Sequence, residues 1–593
     1  MNIFHWARLP AFLFSLIIAS APLTARAEAG DELMRSKMLA DIDTMHNLFS
    51  ARYAPVEWKQ HFASWTLEEA TKRAQERVTT VRKPTTKEFH RILRDFCHSM
   101  KDYHVAIKFH STEEAHLPFD VMSAEGRYFI SHIDHSAVSS SEFPFQIGDE
   151  IFYFDRLPIK KLVDELNMAE ERGATTETDQ RLAEMTLTHR FGTKGHIVPS
   201  GRIIVTGRDS YGKMHAAKLE WSYSPERVNT HYTHLEDPIS RVTMAQMLNG
   251  EPEKSQLSHQ LSALIEMTTP EVTFFQDLGP QSFQSAHSIG NREGFLPELG
   301  RIVWQSSDED PFYAYICITP EGQRVGYVRI PTYHTGDTGE PEAFRTLIGQ
   351  FEAQTDLLVF DQMNNGGGYP IYGYALLSML TNEPLSTPKN RMKLTQEDII
   401  SFLYISDLLS LINSDKDAKE VFGETYLGIP VNCQLVEQFK SFLDTMIDEW
   451  NAGKSMTNPV HLMFVDEINP HPTHRYSKPV LCLINEKDFS AADMIPAVLQ
   501  DTGRAVLMGT RTAGAGGAVK ASQPTLFFGA ALVSHTISIL ERTDGFRPIE
   551  NLGVEPDVPY TLTVEDLQNN FAPFVSAIQE QIDTMLDQES VQK

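Results

Sequence analysis

Cysteine is scarce in this 593-residue chain. There are four, Cys97, Cys317, Cys433 and Cys482. They are scattered, with no Cys-x-x-Cys pair, which argues against a zinc ribbon or a redox motif. Four in a chain of this length make no disulfide scaffold. Cys482 lies in an apolar run and reads as a small buried hydrophobe, although a disulfide stays open in an oxidising compartment. Basic charge is also short: 52 Lys and Arg face 79 Asp and Glu, a formal charge of −27. No local basic patch offsets that balance, so nucleic acid and anionic membranes are poor general partners. Gly-x-Ser-x-Gly is absent, which removes an α/β-hydrolase elbow. No internal repeat is present. Charged residues make up 22% against 41% hydrophobic, a balance that buries cores rather than staying disordered. At about 100–200 residues per domain, the chain holds several.

One long apolar run does occur, at the N-terminus. Arg8 is the only charge before apolar residues from about Ala11 to Ala19, and Ala25-Arg26-Ala27 is a small-x-small cleavage site before Glu28. Residues 1–27 therefore read as a secretory signal peptide, too short in its apolar part to span a bilayer. Its removal takes Arg8 and Arg26 and no acid, leaving a charge of −29. The remainder is expected to be exported, with no integral membrane segment.

Residues 28–114 are expected to be a helical region ending in a strand. Thr85-Thr86-Lys87-Glu88 is a capping box, followed by Phe89, Ile92, Leu93, Phe96 and Met100 at helical spacing. Alternation of Tyr103, Val105, Ile107 and Phe109 with His104 and Ala106 then predicts a strand carrying His104. Residues 115–225 show short strands around one helix, at Tyr128–Ile130, Ile151–Phe154, Ile203–Val205 and Leu219–Trp221, and Gly148–Ile159 resembles the turn-strand-turn of PDZ domains. The Gly-Leu-Gly-Phe carboxylate loop of peptide-binding PDZ domains is not visible. Residues 236–300, rich in Ser, Gln and Glu, read as a long insertion or linker, or as an ordered extension of a neighbour. From 301 to 593 apolar strands at Val325–Ile330, Leu357–Phe360, Val480–Ile484 and Ala505–Met508, with the helix Ala491–Leu499, predict a largely parallel α/β core. A helical insertion at 394–450 interrupts it.

Two places carry candidate chemistry. Ser490 stands where the strand Val480–Ile484 gives way to a helix, the end of a parallel strand where sites in open α/β sheets gather. The free N–H groups and dipole of the helix start stabilise an oxyanion. Ser490-x-x-Asp493 is equally a capping box, so helix initiation alone also explains the serine. The second place is Asp361-Gln362-Met363-Asn364-Asn365-Gly366-Gly367-Gly368-Tyr369. Its glycines let backbone N–H groups approach a ligand. It lacks the Gly-Lys-Ser/Thr and G-x-G-x-x-G of phosphate loops, and a plain turn remains the alternative. A serine nucleophile needs a base and the base an orienting acid, but spacing cannot select one of 22 histidines. His231/His234 and His471/His474 lie in Pro/Thr-containing loops and do not read as metal ligands.

Asn485–Asp493, with Gly503–Gly514 after the helix, resembles the nucleophile region of carboxy-terminal processing (tail-specific) serine proteases. The segment around Gly367-Gly368 resembles their oxyanion loop, and Asn551–Val558 their terminal Gly-Val-x-Pro-Asp signature. The general-base lysine usual in that family would fall near Ala515, so it is missing there. Lys101-Asp102-Tyr103-His104, Asn485 through Gly517 and Ile549–Pro556 resemble the chlamydial protease-like activity factors, a branch with a Ser–His–Glu triad. That resemblance implies a multidomain α/β protein with a crotonase/Clp-like core and a PDZ-like module. It implies Ser490 as nucleophile, His104 as general base, Glu550 as orienting acid, and an oxyanion held by the N–H groups of Ala491 and of Gly367 or Gly368. It further implies secretion into the host cell as a virulence factor, protein or peptide substrates, self-cleavage from a zymogen and a homodimer, without metal or cofactor. Residues 236–300 are the expected self-cleaved segment. The competing readings are a non-catalytic PDZ-like scaffold, a crotonase-like acyl-CoA enzyme, disfavoured by the signal peptide, and a Ser–Lys protease using Lys520.

Overall fold

The computed structural model describes residues 23–170, 175–227, 285–335, 339–543, 545 and 547–592. Residues 1–22 of the expected leader, and 236–284 of the expected insertion, lie outside the described residues. Among the described residues, no helix is long and apolar enough to cross a membrane. All four cysteines are free thiols.

The protein is a mixed α/β, multidomain molecule. Its centre is a seven-stranded sheet in the order Arg301–Gln305, Ala314–Ile318, Arg324–Arg329, Leu357–Asp361, Val480–Ile484, Val506–Gly509 and Val558–Pro559. The first two junctions are antiparallel and the rest parallel. Leu357–Asp361 and Val480–Ile484 are buried at every position, as strands covered on both faces must be. The helices Gly339–Gln354, Pro370–Ser378 and Ala491–Asp501 supply Phe351, Leu376 and Ile495 to one face. The other face packs on the C-terminal helix Ala572–Gln592 through Phe574, Ile578 and Ile582.

Two smaller units flank this core. Helices Leu23–Arg52, Val56–Ala63, Leu67–Thr80 and Thr86–His98 gather around Phe49, Phe89, Leu93 and Phe96. Thr85 caps the last of them, its Oγ1 accepting the Glu88 N–H at 3.2 Å. The strand Ala106–Phe109 then pairs with Ala530–Thr536. His104 itself precedes that strand, in a turn, where the alternation had predicted strand. The reason is local: Asp102 Oδ1 accepts the His104 N–H at 2.8 Å, and the Asp102 carbonyl accepts the Val105 N–H at 3.1 Å, a turn that Asp favours. Residues 103–107 are buried on both faces, so their polar members are enclosed rather than solvated.

The second unit has strands Phe119–Ala124, Arg127–Ile133, Glu150–Phe154, Arg202–Arg208 and Met214–Glu220 in one antiparallel sheet. Two helices, Ile159–Glu170 and Thr176–Thr188, stand where the sequence suggested one. The second docks the unit onto the core. Thr178 Oγ1 donates to the Glu486 carbonyl at 2.7 Å, Arg181 Nε to Glu486 Oε1 at 2.6 Å, and Tyr103 Oη to Asp179 Oδ1 at 2.8 Å. The inserted helices Gln396–Leu409, Asp415–Phe422 and Cys433–Asn451 form their own apolar cluster.

Residues 285–300 are not a loose linker. Gly290 N–H donates to the Asn364 carbonyl at 2.9 Å, and Leu299 is fully buried. Satisfied backbone groups and a core side chain give this stretch a fixed path.

Leu358 is fully buried in the central sheet and pairs with Val480. Leu358→Ala is expected to destabilise the core by about 2–5 kcal/mol, read as a lower urea midpoint. Ile197→Ala, at a position 63% exposed, should change it by less than about 0.5 kcal/mol.

Candidate active site

Three segments far apart in the chain meet at one cavity of about 180 Å³. His104, Gly368, Ser490 and Ala491 line it, with Met392, Phe402 and Phe442 giving an apolar wall beside the inserted helices.

Ser490 begins the helix Ala491–Asp501 in an uncommon backbone conformation, φ 60° and ψ −116°. Such strain persists only where neighbours fix it. Asp493 does this through its carboxylate: Oδ2 accepts the N–H of Ser490 and of Ala515, each at 2.9 Å. Oδ1 accepts the Gly514 N–H at 2.7 Å and the Thr512 hydroxyl at 2.5 Å. The loop after the last long parallel strand is thereby tied to the turn at Ser490. Burial nonetheless pushes Asp493 up to about 7, against those four donors.

The glycine segment closes over Ser490 from the other side. A Cβ on Gly367 would lie 2.7 Å from Ser490 Cβ, and one on Gly368 would lie 2.1 Å from the Tyr333 carbonyl carbon. Their φ values are 94° and 143°, so only glycine fits either position. The two differ in what their amides do. Gly367 N–H donates to Asn365 Oδ1 at 2.8 Å, whereas the amides of Gly368 and Ala491 meet no acceptor among the described residues. Of the two glycines, Gly368 is therefore the one whose amide is not already taken by Asn365.

His104 is 1% exposed. Burial, opposed by Asp102 and assisted by Lys59, holds its imidazole below the usual range, which keeps the ring neutral and able to accept a proton. Asp102 is also fully buried. Burial raises its carboxyl, but Lys59, His104 and the hydroxyls of Thr536 and Tyr53, at 2.7 and 2.8 Å, hold it below the ordinary value.

Glu550 shares this enclosed space, but its ion-pair partner is Lys59. Lys59 Nζ donates to Glu550 Oε1, to Asn551 Oδ1 at 2.6 Å and to the Lys101 carbonyl at 2.9 Å. Glu550 Oε2 accepts no hydrogen bond among the described residues. Asp102 bears on His104 through its backbone and by charge, while Glu550 is joined to the same cluster through Lys59. No role for Lys59 or Asp102 was legible in the sequence. Asp102 lay within a motif, two residues from His104; Lys59 had no signal, standing in a short helix without a distinguishing pattern.

Lys520, the alternative base, donates its Nζ to Asp398 on the insertion and does not line the cavity. That removes it from contact with Ser490.

Burial, reinforced by Asp102 and opposed by Lys59, pushes Glu550 from its ordinary 4.5 to about 8. Between those values the folded protein holds the proton and the unfolded chain does not. Stability contributed by this group is therefore lost as pH rises through that window. Glu550→Gln is expected to flatten this part of a plot of Tm against pH, measured beside the wild type.

Comparison with known proteins gives this geometry its family. The family model described as "PDZ domain" matches residues 113–228, and that described as "Peptidase family S41" matches residues 324–560. A Chlamydia trachomatis serovar D protein is 34% identical over 91% of each chain. The crystal structure of mature CPAF, 31% identical, superposes with a TM-score of 0.78 over 94% of this chain and 98% of that one. The structure of mature CPAF complexed with lactacystin matches equally well, at 31% identity and TM-score 0.78 over 94% of this chain and 100% of that one. The chain belongs to the CPAF-like members of peptidase family S41 and is a serine protease.

Proposed function

We propose that this protease is a secreted, self-processing endopeptidase working through Ser490, His104 and Glu550. The observation that carries the reading is the shared cavity, lined by a strained serine at a helix start, a buried imidazole held below its usual range, and two residues whose amides meet no acceptor among the described residues. Ser490 Oγ attacks the substrate carbonyl carbon while His104 takes its proton. The N–H groups of Ala491 and Gly368 receive the oxyanion. His104 then gives the proton to the leaving amine, and water, deprotonated by His104, hydrolyses the ester. The charge that develops on the imidazole is met by Asp102, while Glu550, joined to the same cluster through Lys59, supports that arrangement and adds its own negative charge above about pH 8. No step calls on a metal or cofactor.

Export is supported by the apolar run and small-x-small site of residues 1–27, and delivery into the host cell rests on likeness to the CPAF branch. A zymogen is supported by the solved relative being described as mature CPAF and by the long Ser/Gln/Glu-rich stretch. A homodimer rests on likeness to that branch. The scaffold and acyl-CoA readings give way to membership of a protease family.

The test is a fluorophosphonate probe on the purified chain, with labelling and self-fragmentation followed on one gel. Wild type is expected to label and fragment. Ser490→Ala and His104→Ala are expected to lose both, with peptide hydrolysis down by about 10³-fold or more. Lys520→Ala should remain active. Labelling of His104→Ala at the wild-type rate would remove histidine as the base.

A further inference from the structure

Lysine is among the residues least often fully buried, and a buried cation costs more than an apolar side chain of its size. Lys59 is nonetheless completely enclosed. It comes from Val56–Ala63, a helix of the N-terminal unit, and reaches across to the segment around Glu550, more than 490 positions on. All three donors of its ammonium are used, on Glu550 Oε1, Asn551 Oδ1 and the Lys101 carbonyl. The acceptors are themselves joined: Asn551 Nδ2 donates to the Lys101 carbonyl at 2.6 Å, and Trp58 Nε1 to Asn551 Oδ1 at 3.1 Å. Lys101 immediately precedes Asp102, whose Oδ1 fixes the backbone of His104.

We propose that Lys59 is a positioning residue for peptide hydrolysis: one buried cation, delivered by the N-terminal helical unit, that holds Glu550 and the Asp102–His104 turn in a single arrangement. This rests on the reading of His104 as the base. It makes the helical unit a working part of the active site rather than an appendage, because without helix Val56–Ala63 two buried carboxylates would share the space with no cation.

The charges fix the sign of the effect. Among the titratable groups acting on His104, Asp102 favours the imidazolium and Lys59 disfavours it. Lys59 also faces Glu550, and Asp102 further faces Tyr53. Asp493 adds negative charge beside Glu550. Replacing Lys59 by a neutral side chain leaves the surrounding acids to favour the imidazolium. The base then stays protonated to higher pH, and the acid limb of the rate profile moves up.

The experiment measures the rate of Ser490 labelling by a fluorophosphonate from about pH 5 to about pH 9. The proteins compared are wild type, Lys59→Met, Lys59→Arg, Glu550→Gln and the double variant Lys59→Met/Glu550→Gln, each checked for fold by circular dichroism. Lys59→Met is expected to slow labelling by about 10–100-fold and raise the acid limb by about half a pH unit or more. Lys59→Arg keeps the charge and is expected to restore the limb but not the full rate, since its planar fork suits three convergent acceptors poorly. The double variant buries neither member of the ion pair, so it remains informative if Lys59→Met fails to fold. Its limb should lie above that of Glu550→Gln alone. Coincident limbs in both comparisons, with labelling still dependent on His104, would overturn the role of Lys59 alone. Labelling indifferent to His104→Ala would overturn the reading beneath it.

Discussion

The carboxylate of Asp493 accepts four hydrogen bonds in a fully buried setting, from Ser490, Thr512, Gly514 and Ala515. Each donor fixes a different part of the site. The Ser490 amide sets the strained turn that presents the nucleophile. The other three hold the loop after Val506–Gly509 against the start of the helix. That loop in turn supports Glu550: the Asn551 N–H donates to the Gly514 carbonyl at 2.8 Å, and Val554 N–H to Thr512 Oγ1 at 2.8 Å. A buried acceptor this well satisfied makes a low-dielectric network stiff, and the same burial would make any missing donor costly. The Ala515 amide occupies the place where relatives of the tail-specific type carry a lysine. Here that position is backbone ligation of an acid.

His104 stands on a turn outside the sheet that bears Ser490. The site is therefore assembled by docking. The N-terminal helices bring Lys59 and Tyr53, the turn at Asp102 brings the histidine, and Thr536 completes the Asp102 shell from a strand near the C-terminal end. The PDZ unit is tied to the same place from the opposite side, through Tyr103–Asp179 and Arg181–Glu486. Tyr103 adjoins His104, and Glu486 lies four residues before Ser490. A displacement of either flanking unit is thus felt at the catalytic pair through contiguous polar contacts, the kind of connection by which docking of parts gates an enzyme.

Much of this architecture was legible in local pattern. The runs Leu357–Phe360 and Val480–Ile484 announce buried parallel strands because neither face has polar residues. Thr85 and Ser490 announce helix starts because a helix leaves its first N–H groups unpaired. The glycines at 367 and 368 announce a close approach, and Gly368 meets the Tyr333 backbone as tightly as only glycine permits. Pattern misled where a side chain overrode periodicity. The alternation from Tyr103 to Phe109 predicted a strand through His104, but Asp102 bends the backbone into a turn there. For residues 285–300, whose apolar residues have no period, pattern left linker and ordered extension both open, and Leu299 and His287 are packed individually against the core.

The sequence by itself determined the α/β core, the helix starts and the place of Ser490 at a strand end. These follow from periodicity and short-range chemistry, which a linear string records. Tertiary structure alone decided that Asn365 takes the Gly367 amide, that Asp102 is enclosed with His104, and that Lys59 joins Glu550. Each of those depends on which polar groups share an enclosed, low-dielectric space. Residues hundreds of positions apart enter such a space only when separately folded units dock, and no local spacing encodes that meeting.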